Sequence, residues 1–277
     1  MISEYAYAKV NLALYVGDTL PTGYHEVKNI MVPVDLYDSL TFEVLNKEII
    51  LLDNTKIDVE KNLVYKAAKL FIDTYNIKSG VLINLDKKIP SEAGLAGGSS
   101  DAAATLRGLN RLFNLDKTLD ELAQLGAQLG SDVPYCVYQK ACLCVGTGTE
   151  CKLLDVSYDK WPILLVKPPF GCSTKDIYKA FDPNKESLES RIDKVIEGLK
   201  ENDLEKLNQN MFNDLETPAF EVVKELKKIK SIMSESVHTM MSGSGSTLFS
   251  ISKDVEVLEE LKKKLSKYNF VCLTKLL

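Results

Sequence analysis

Pro90-Ser91-Glu92-Ala93-Gly94-Leu95-Ala96-Gly97-Gly98-Ser99-Ser100-Asp101 is the stretch on which the reading of this chain turns. It follows an extended apolar run at 81–85 and precedes a segment in which Leu106, Leu109 and Phe113 recur at helical spacing, so it joins a strand to a helix. Glycines at 94, 97 and 98 let the backbone approach a polyphosphate closely, and the start of the helix behind them offers unpaired N–H donors and partial positive charge. No Gly-Lys-Ser/Thr closes the loop, which excludes a Walker A loop, and Gly94-Leu95-Ala96-Gly97-Gly98 breaks the spacing of a dinucleotide fingerprint. A glycine-rich helix cap, in which Ser99 or Ser100 only starts the helix, is the bland alternative, and the loop alone leaves both open.

Outward from the loop, residues 5–15 and 27–34 alternate around turn-forming Gly17, Asp18, Pro21 and Gly23, which predicts a hairpin. Residues 38–44 and 48–52 continue the strand pattern, and Leu63, Ala67, Leu70 and Phe71 mark a helix over 62–75. Thr118 with Glu121 has capping-box spacing and predicts a helix over 118–130. Strands are expected at 135–145 and after Gly148. Periodicity fails over 152–160, which sets a domain boundary, with domains at 1–155 and 156–277. The second half reads as strand 163–166, helices near 174–181, 188–199, 203–209 and 219–231, a glycine-rich turn, strand 247–252, helix 255–265 and strand 270–273. Mixed sheets with helices on one side follow, an α+β architecture.

Composition removes several function classes. The chain has 277 residues, 45% hydrophobic and 26% charged, the balance of a globular protein. With 34 basic against 39 acidic residues and no basic stripe, nucleic-acid binding is disfavoured. The longest basic cluster, Lys227, Lys228 and Lys230, interleaves with Val222, Val223, Leu226 and Ile229 and reads as a solvated helix face. Six cysteines without CxxC pairs and two histidines, His25 and His238, argue against a zinc site, so no resident metal ligands are assigned. No apolar run approaches a membrane span, and the cysteines are expected as free thiols in a cytoplasmic protein, monomeric or homodimeric.

The loop resembles the phosphate-binding motif of the GHMP kinases, written P-x-x-x-G-L-x-x-S-S, with one residue's difference in spacing. The resemblance implies that Pro90 and the backbone of Ala93, Gly94, Leu95, Ala96, Gly97, Gly98, Ser99 and Ser100 hold the phosphates of ATP, that a serine hydroxyl faces Mg2+, and that Asn62 and Lys87 lie near the adenine. It also implies a ribosomal protein S5 domain 2-like N-terminal domain and a ferredoxin-like C-terminal domain, with the active site in the cleft between them. Ala8-Lys9-Val10-Asn11-Leu12 is similar to the opening segment of one branch of that family, with Tyr7 where proline is common, and Gly130-Ser131-Asp132-Val133-Pro134 to its G-[AST]-D-[VI]-P element. By that likeness Asp132 is the base and Lys9 the cation that counters charge on the transferring group, with Asn11 beside the substrate. Taken singly, a surface lysine and a turn-forming carboxylate would be the commoner readings.

The acceptor is read elsewhere. Gly23-Tyr24-His25 resembles a cytosine-recognising element, since a base stacks on an aromatic face and an imidazole bonds a pyrimidine edge. Thr174 and Tyr178 can be laid on the segment that completes that sandwich. Met241-Ser242-Gly243-Ser244-Gly245-Ser246 resembles the third family motif, so Gly243, Ser244 and Gly245 are expected to line the site, with Ser246 where proline is frequent. The alternative for that turn is close packing between domains. The implied reaction transfers the ATP γ-phosphate to the 2-hydroxyl of 4-diphosphocytidyl-2-C-methyl-D-erythritol in non-mevalonate isoprenoid precursor synthesis. The partner is then a small molecule bearing a cytidine diphosphate group. The rivals are a kinase of the same family with another acceptor and a nucleotide-binding paralogue with little turnover.

Overall fold

The computed structural model describes residues 1–277 and resolves two compact units, each assembled from separate stretches of chain. One comprises Met1–Ala8, Leu36–Ile89 and Ala96–Gln139; the other comprises Lys9–Asp35, Pro90–Leu95 and Lys140–Leu277. Strands β1 (Ile2–Thr19) and β2 (His25–Leu45) each contribute residues to both. The predicted hairpin is there, but the two extended runs expected after Gly23 are one strand, because Pro33 and Asp35 to Tyr37 stay extended in β2 instead of turning.

The first unit adds β3 (Ile49–Asp53), α1 (Leu63–Thr74) and β4 (Gly80–Asp86). It continues with α2 (Gly97–Leu112), α3 (Leu119–Gly126) and α4 (Val133–Tyr138). The second half of β2 pairs antiparallel with β4, Ser39 opposite Asp86 through Leu45 opposite Gly80, and β3 runs parallel to β4. α1 buries Val64, Ala67, Ala68 and Phe71, the face its 3.6-residue spacing predicts. α2 comes close to β2 at Gly108, where an added Cβ would stand 2.4 Å from the Phe42 ring; overpacking of that kind costs about 1–3 kcal/mol. The Thr118–Glu121 capping box is present, but α3 stops at Gly126, short of the expected 130. The first part of the strand expected over 135–145 is instead α4: Pro134 sits in its first turn, where a missing N–H costs nothing, and this outweighs the strand preference of Tyr135 and Val137.

The second unit contains the hairpin β5 (Cys142–Val145) and β6 (Glu150–Leu153), then β7 (Pro162–Lys167), α5 (Thr174–Lys179), α6 (Ile192–Lys200) and α7 (Leu204–Asn210). After these come β8 (Phe212–Asn213), α8 (Glu216–Val222), α9 (Lys224–Ser234), β9 (Thr239–Met241), β10 (Leu248–Ile251), α10 (Val255–Lys264) and β11 (Phe270–Lys275). One sheet has the order β11-β7-β10-β9 with every pair antiparallel, which is the 4-1-3-2 order of a ferredoxin-like β-α-β-β-α-β unit. Ile163 to Val166 on β7 are fully buried, as a continuous apolar run predicts for a strand covered on both faces. Leu164 and Val166 pack in one cluster with Leu226, Ile229, Met233 and Leu258, so helices α9 and α10 cover that face. The helix expected over 219–231 is two helices broken at Val223, which leaves helical geometry at φ −128°.

The expectation of free thiols fails for one pair. β5 and β6 place Cys144 directly opposite Cys151, with Cα atoms 4.1 Å apart, and the two form a disulfide. A close, non-hydrogen-bonded cross-strand pair brings the sulfurs together without help from spacing motifs. Cys136, Cys142, Cys172 and Cys272 are free.

Candidate active site

In the first unit the predicted phosphate helix starts as expected. Ala96 adopts a left-handed φ of 56°, Ser100 N donates to Ala96 O at 2.8 Å, and no side chain caps the first turn. The N–H groups around Gly97, Gly98 and Ser99 are therefore not claimed by a capping side chain, which suits an anion. The two serines differ. Ser100 is fully buried and its hydroxyl donates to Tyr7 O at 2.6 Å, whereas Ser99 is half-buried at the surface of the turn.

Asn62 and Lys87, expected near the adenine, have structural partners of their own. Asn62 is the N-cap of α1, its Oδ1 accepting from Val64 N at 3.0 Å and its Nδ2 donating to Asp53 at 3.0 Å. Lys87 N donates to Asn54 Oδ1 at 2.9 Å, and its ammonium is held by Asp38 and, at 2.8 Å, by Asp101. A groove of about 390 Å³ lined by Ser39, Thr41, Leu52, Asp53, Asn54 and Asn84 runs beside them. Burial, and secondarily the neighbouring Asp38, pushes the Asp101 carboxyl up to about 8, with Lys87 opposing the shift. Asp132 occupies the N-cap position of α4, half-buried, without capping the helix with its side chain.

The second unit brings together residues from three of the motifs. Lys9, only 3% exposed, donates to Asn11 Oδ1 at 2.8 Å. Asn11 Oδ1 also accepts from the Ser242 hydroxyl at 3.2 Å, and Asn11 Nδ2 donates to Asn29 Oδ1 at 2.7 Å. Because lysine can only donate, the orientation of the Asn11 amide is fixed by its neighbours. Ser242 Oγ reaches Gly94 O at 2.9 Å, Lys9 N donates to Leu95 O, and Thr247 N donates to Ala93 O. Residues 93–95 of the glycine-rich loop are thus stitched to the third motif and to the segment around Lys9. Glycine is required at 94: its φ is +72°, and a Cβ there would lie 2.1 Å from Ser242 O. Gly243 faces the same cluster, with an added Cβ 3.3 Å from Lys9 Nζ and 3.4 Å from Asn11 Oδ1.

The nucleobase candidates group elsewhere in this unit. His25 stacks on Tyr178 with centroids 5.6 Å apart, and Phe181 meets it edge-on at 5.8 Å. His25 Nδ1 lies 3.1 Å from Gly17 O; a carbonyl accepts only, so Nδ1 carries the hydrogen and Nε2 of the neutral ring is an acceptor. Tyr24, 63% exposed, projects from the turn closed by Leu20 N donating to Tyr24 O at 2.7 Å. Thr174 and Ser244 share a hydroxyl–hydroxyl bond of 2.8 Å, tying the start of α5 to the third motif, whose Gly245–Ser246 peptide bond is cis.

Sequence reasoning missed the residues that hold these motifs in shape. Asn213 Nδ2 donates to both Met241 O and Gly243 O at 2.8 Å, Glu216 accepts from Met241 N at 2.9 Å, and Asn29 supports Asn11. Phe181 was inside a predicted helix but not singled out. The only signal for Asn213 was its place in Phe212-Asn213-Asp214-Leu215-Glu216, a polar interruption between two apolar-periodic segments.

Comparison with known proteins matches the N-terminal domain of the GHMP kinases to residues 62–140 and their C-terminal domain to residues 195–270. A 4-diphosphocytidyl-2-C-methyl-D-erythritol kinase of Clostridium botulinum is 42% identical over 275 residues, covering 98% of each chain, and one of Clostridium novyi is 43% identical over 278 residues with the same coverage. A crystal structure of 4-(cytidine 5'-diphospho)-2C-methyl-D-erythritol kinase superposes with a TM-score of 0.84 at 30% identity, over 99% of this chain and 98% of that one. The homoserine kinase of Cytophaga hutchinsonii, at 19% identity and a TM-score of 0.78 over 99% of this chain and 94% of its own, shares the fold. The chain belongs to the GHMP kinases and, at this level of likeness, to their 4-diphosphocytidyl-2-C-methyl-D-erythritol kinase branch.

Proposed function

We propose that this protein transfers the γ-phosphate of ATP to the 2-hydroxyl of 4-diphosphocytidyl-2-C-methyl-D-erythritol, a step in non-mevalonate isoprenoid precursor synthesis. Family membership supports ATP as the donor. The acceptor assignment is carried by the His25 ring, whose Nδ1–H is committed to Gly17 O and whose face lies on Tyr178. With Nε2 left as an acceptor opposite the base's 4-position, the site takes cytosine's amino group and meets uracil's carbonyl oxygen with a like lone pair. Tyr24 and Tyr178 supply aromatic surface, Thr174 completes the cytidine sandwich with Tyr178, and Gly243, Ser244 and Gly245 line the acceptor's diphosphate end.

The uncapped first turn of α2 fits the ATP phosphates, and the residues around it include one serine suited to magnesium. Ser99 would face the ion, since the Ser100 hydroxyl is already given to Tyr7 O. Magnesium, when bound with ATP, neutralises charge on the phosphates. Asp132 orients the acceptor hydroxyl and takes its proton late, in keeping with a loose transition state, and Lys9 counters charge on the transferring group. Asn11 keeps Lys9 in place through their 2.8 Å bond. In this reading residues 1–155 supply most of the nucleotide site and 156–277 most of the acceptor site, in a cytoplasmic monomer or homodimer. No helix is long and apolar enough to cross a membrane.

Incubation of the purified protein with ATP and the cytidylyl substrate should give a product phosphorylated on the 2-oxygen. ATP hydrolysis without that product would refute the acceptor. CDP should compete with the substrate and UDP should not; equal competition would refute cytosine recognition. Asp132→Asn should lower turnover by roughly 10²–10⁴-fold, the scale of general acid–base groups, and a rate near wild type removes Asp132 from the mechanism.

A further inference from the structure

Asp38 lies within β2, fully buried, and its carboxylate collects three donors from one short segment: the Lys87 ammonium, Lys88 N–H and, at 2.8 Å, Ile89 N–H. A carboxylate taken out of water is costly unless it is paired and hydrogen-bonded, and this one is satisfied on both oxygens. The segment it grips is the exit from β4 toward α2. Lys87 continues the connection by reaching Asp101, one turn into α2, at 2.8 Å. Gly97, the first residue of α2, rests on this clamp, since a Cβ there would stand 2.9 Å from both Ile89 Cγ2 and Lys87 Nζ. No motif reading names Asp38, yet through Lys87 and Ile89 it stands beneath the first turn of α2.

We propose that Asp38 is a positioning residue for the nucleotide phosphates: through Lys87, Lys88 and Ile89 it holds the first turn of α2 in the arrangement that accepts them. The inference rests on the reading that this unit binds ATP. Asp38 acts on one substrate only, because Lys87, Lys88 and Ile89 belong to the β4–α2 connection and its further neighbour, Asp101, lies in the first turns of α2.

Two variants separate charge from position. Asp38→Asn keeps an oxygen for the N–H groups of Lys88 and Ile89 but turns an amide donor toward the Lys87 ammonium. Asp38→Glu keeps the charge and displaces the oxygens by a methylene. Each should raise the KM for ATP about tenfold or more, equivalent to about 1.4 kcal/mol, while the KM for the cytidylyl acceptor moves less than about twofold and kcat less than about threefold. Unchanged KM for ATP, or equal losses for both substrates, overturns the proposal. If neither variant folds, as judged by circular dichroism, Asp38 is a folding residue and the proposal also fails. Titration of the wild-type protein with ATP distinguishes the two levels. Absence of ATP binding sinks the reading of the unit itself, whereas wild-type ATP binding matched by both variants sinks only the role of Asp38.

Discussion

Two lysines, Lys87 half-buried in one unit and Lys9 buried in the other, are held by different chemistry. Lys87 is clamped between Asp38 and Asp101, and Asp38 also accepts from Ile89 N–H at 2.8 Å. Lys9 is tied into a run of amides and hydroxyls, Asn29 to Asn11 to Ser242 to Gly94. The ionic clamp is strong but carries protons, so its stability depends on pH. The amides and the hydroxyl of this run do not titrate, and its specificity comes from directional bonds, because an amide nitrogen can only donate and an amide or carbonyl oxygen can only accept. Charge gathers around the start of α2 at Asp38, Lys87 and Asp101, while directional bonds from Asn11 and Asn29 orient the groups beside Lys9.

The largest effect should come from breaking the amide run at its centre. Asn11→Leu leaves the Asn29 carbonyl without its donor and the Ser242 hydroxyl without one acceptor, and it releases Lys9 from its 2.8 Å bond. Each buried polar group left unsatisfied costs about 1–3 kcal/mol, and a shift of about 1 Å in a catalytic group can cost on the order of 10²-fold. Urea unfolding should therefore show a clear loss of stability, and steady-state kinetics a drop in kcat larger than any rise in the KM for ATP. A normal kcat in a folded variant would deny Lys9 its dependence on Asn11.

The ionic clamp should respond to pH where the amide run does not. Asp101 holds its proton in the folded protein up to about 8, mainly because it is buried, whereas an unfolded aspartate releases it near about 4. Its contribution to wild-type stability is thus fully present below about pH 4, is lost as pH rises from there through about 8, and stays lost above. Asp101→Asn has no proton to lose. Its stability relative to wild type should rise between about pH 4 and 8 and then level off, as read by thermal unfolding at a series of pH values. A difference that stays flat across that window would mean that Asp101 is not held protonated, while the deficit of Asn11→Leu should show no such drift.

The contrast also explains what could be read in advance. Glycine loops, the Thr118 capping box, and the Lys9–Asn11 and His25 segments are local patterns, so their backbone chemistry is written in adjacent residues. Asp38, Asn29, Asn213 and Phe181 act over separations of many residues: Asp38 meets Ile89 and Asn213 meets Gly243, contacts that no window reveals. α4 was mistaken for a strand because Tyr135 and Val137 favour sheets, although Pro134 in the first turn of a helix was a signal in plain sight. The Cys144–Cys151 pair is the hairpin's doing; Gly146 and Gly148, at φ +66° and +90°, make the turn that sets the two cysteines opposite each other.

The smallest test sits at the seam of the amide run. Ser242 is fully buried, and its hydroxyl is placed to donate either to Gly94 O at 2.9 Å or to Asn11 Oδ1 at 3.2 Å. Ser242→Ala removes that donor, but Asn11 Oδ1 keeps Lys9 and only the Gly94 carbonyl loses its side-chain partner. The expected cost is about 1 kcal/mol, the net worth of one hydrogen bond, and it should appear as a lowered unfolding midpoint with kcat retained within about threefold. A collapse of turnover instead would show that the serine positions Lys9 as strongly as Asn11 does, and the run would then have two centres where the geometry gives it one.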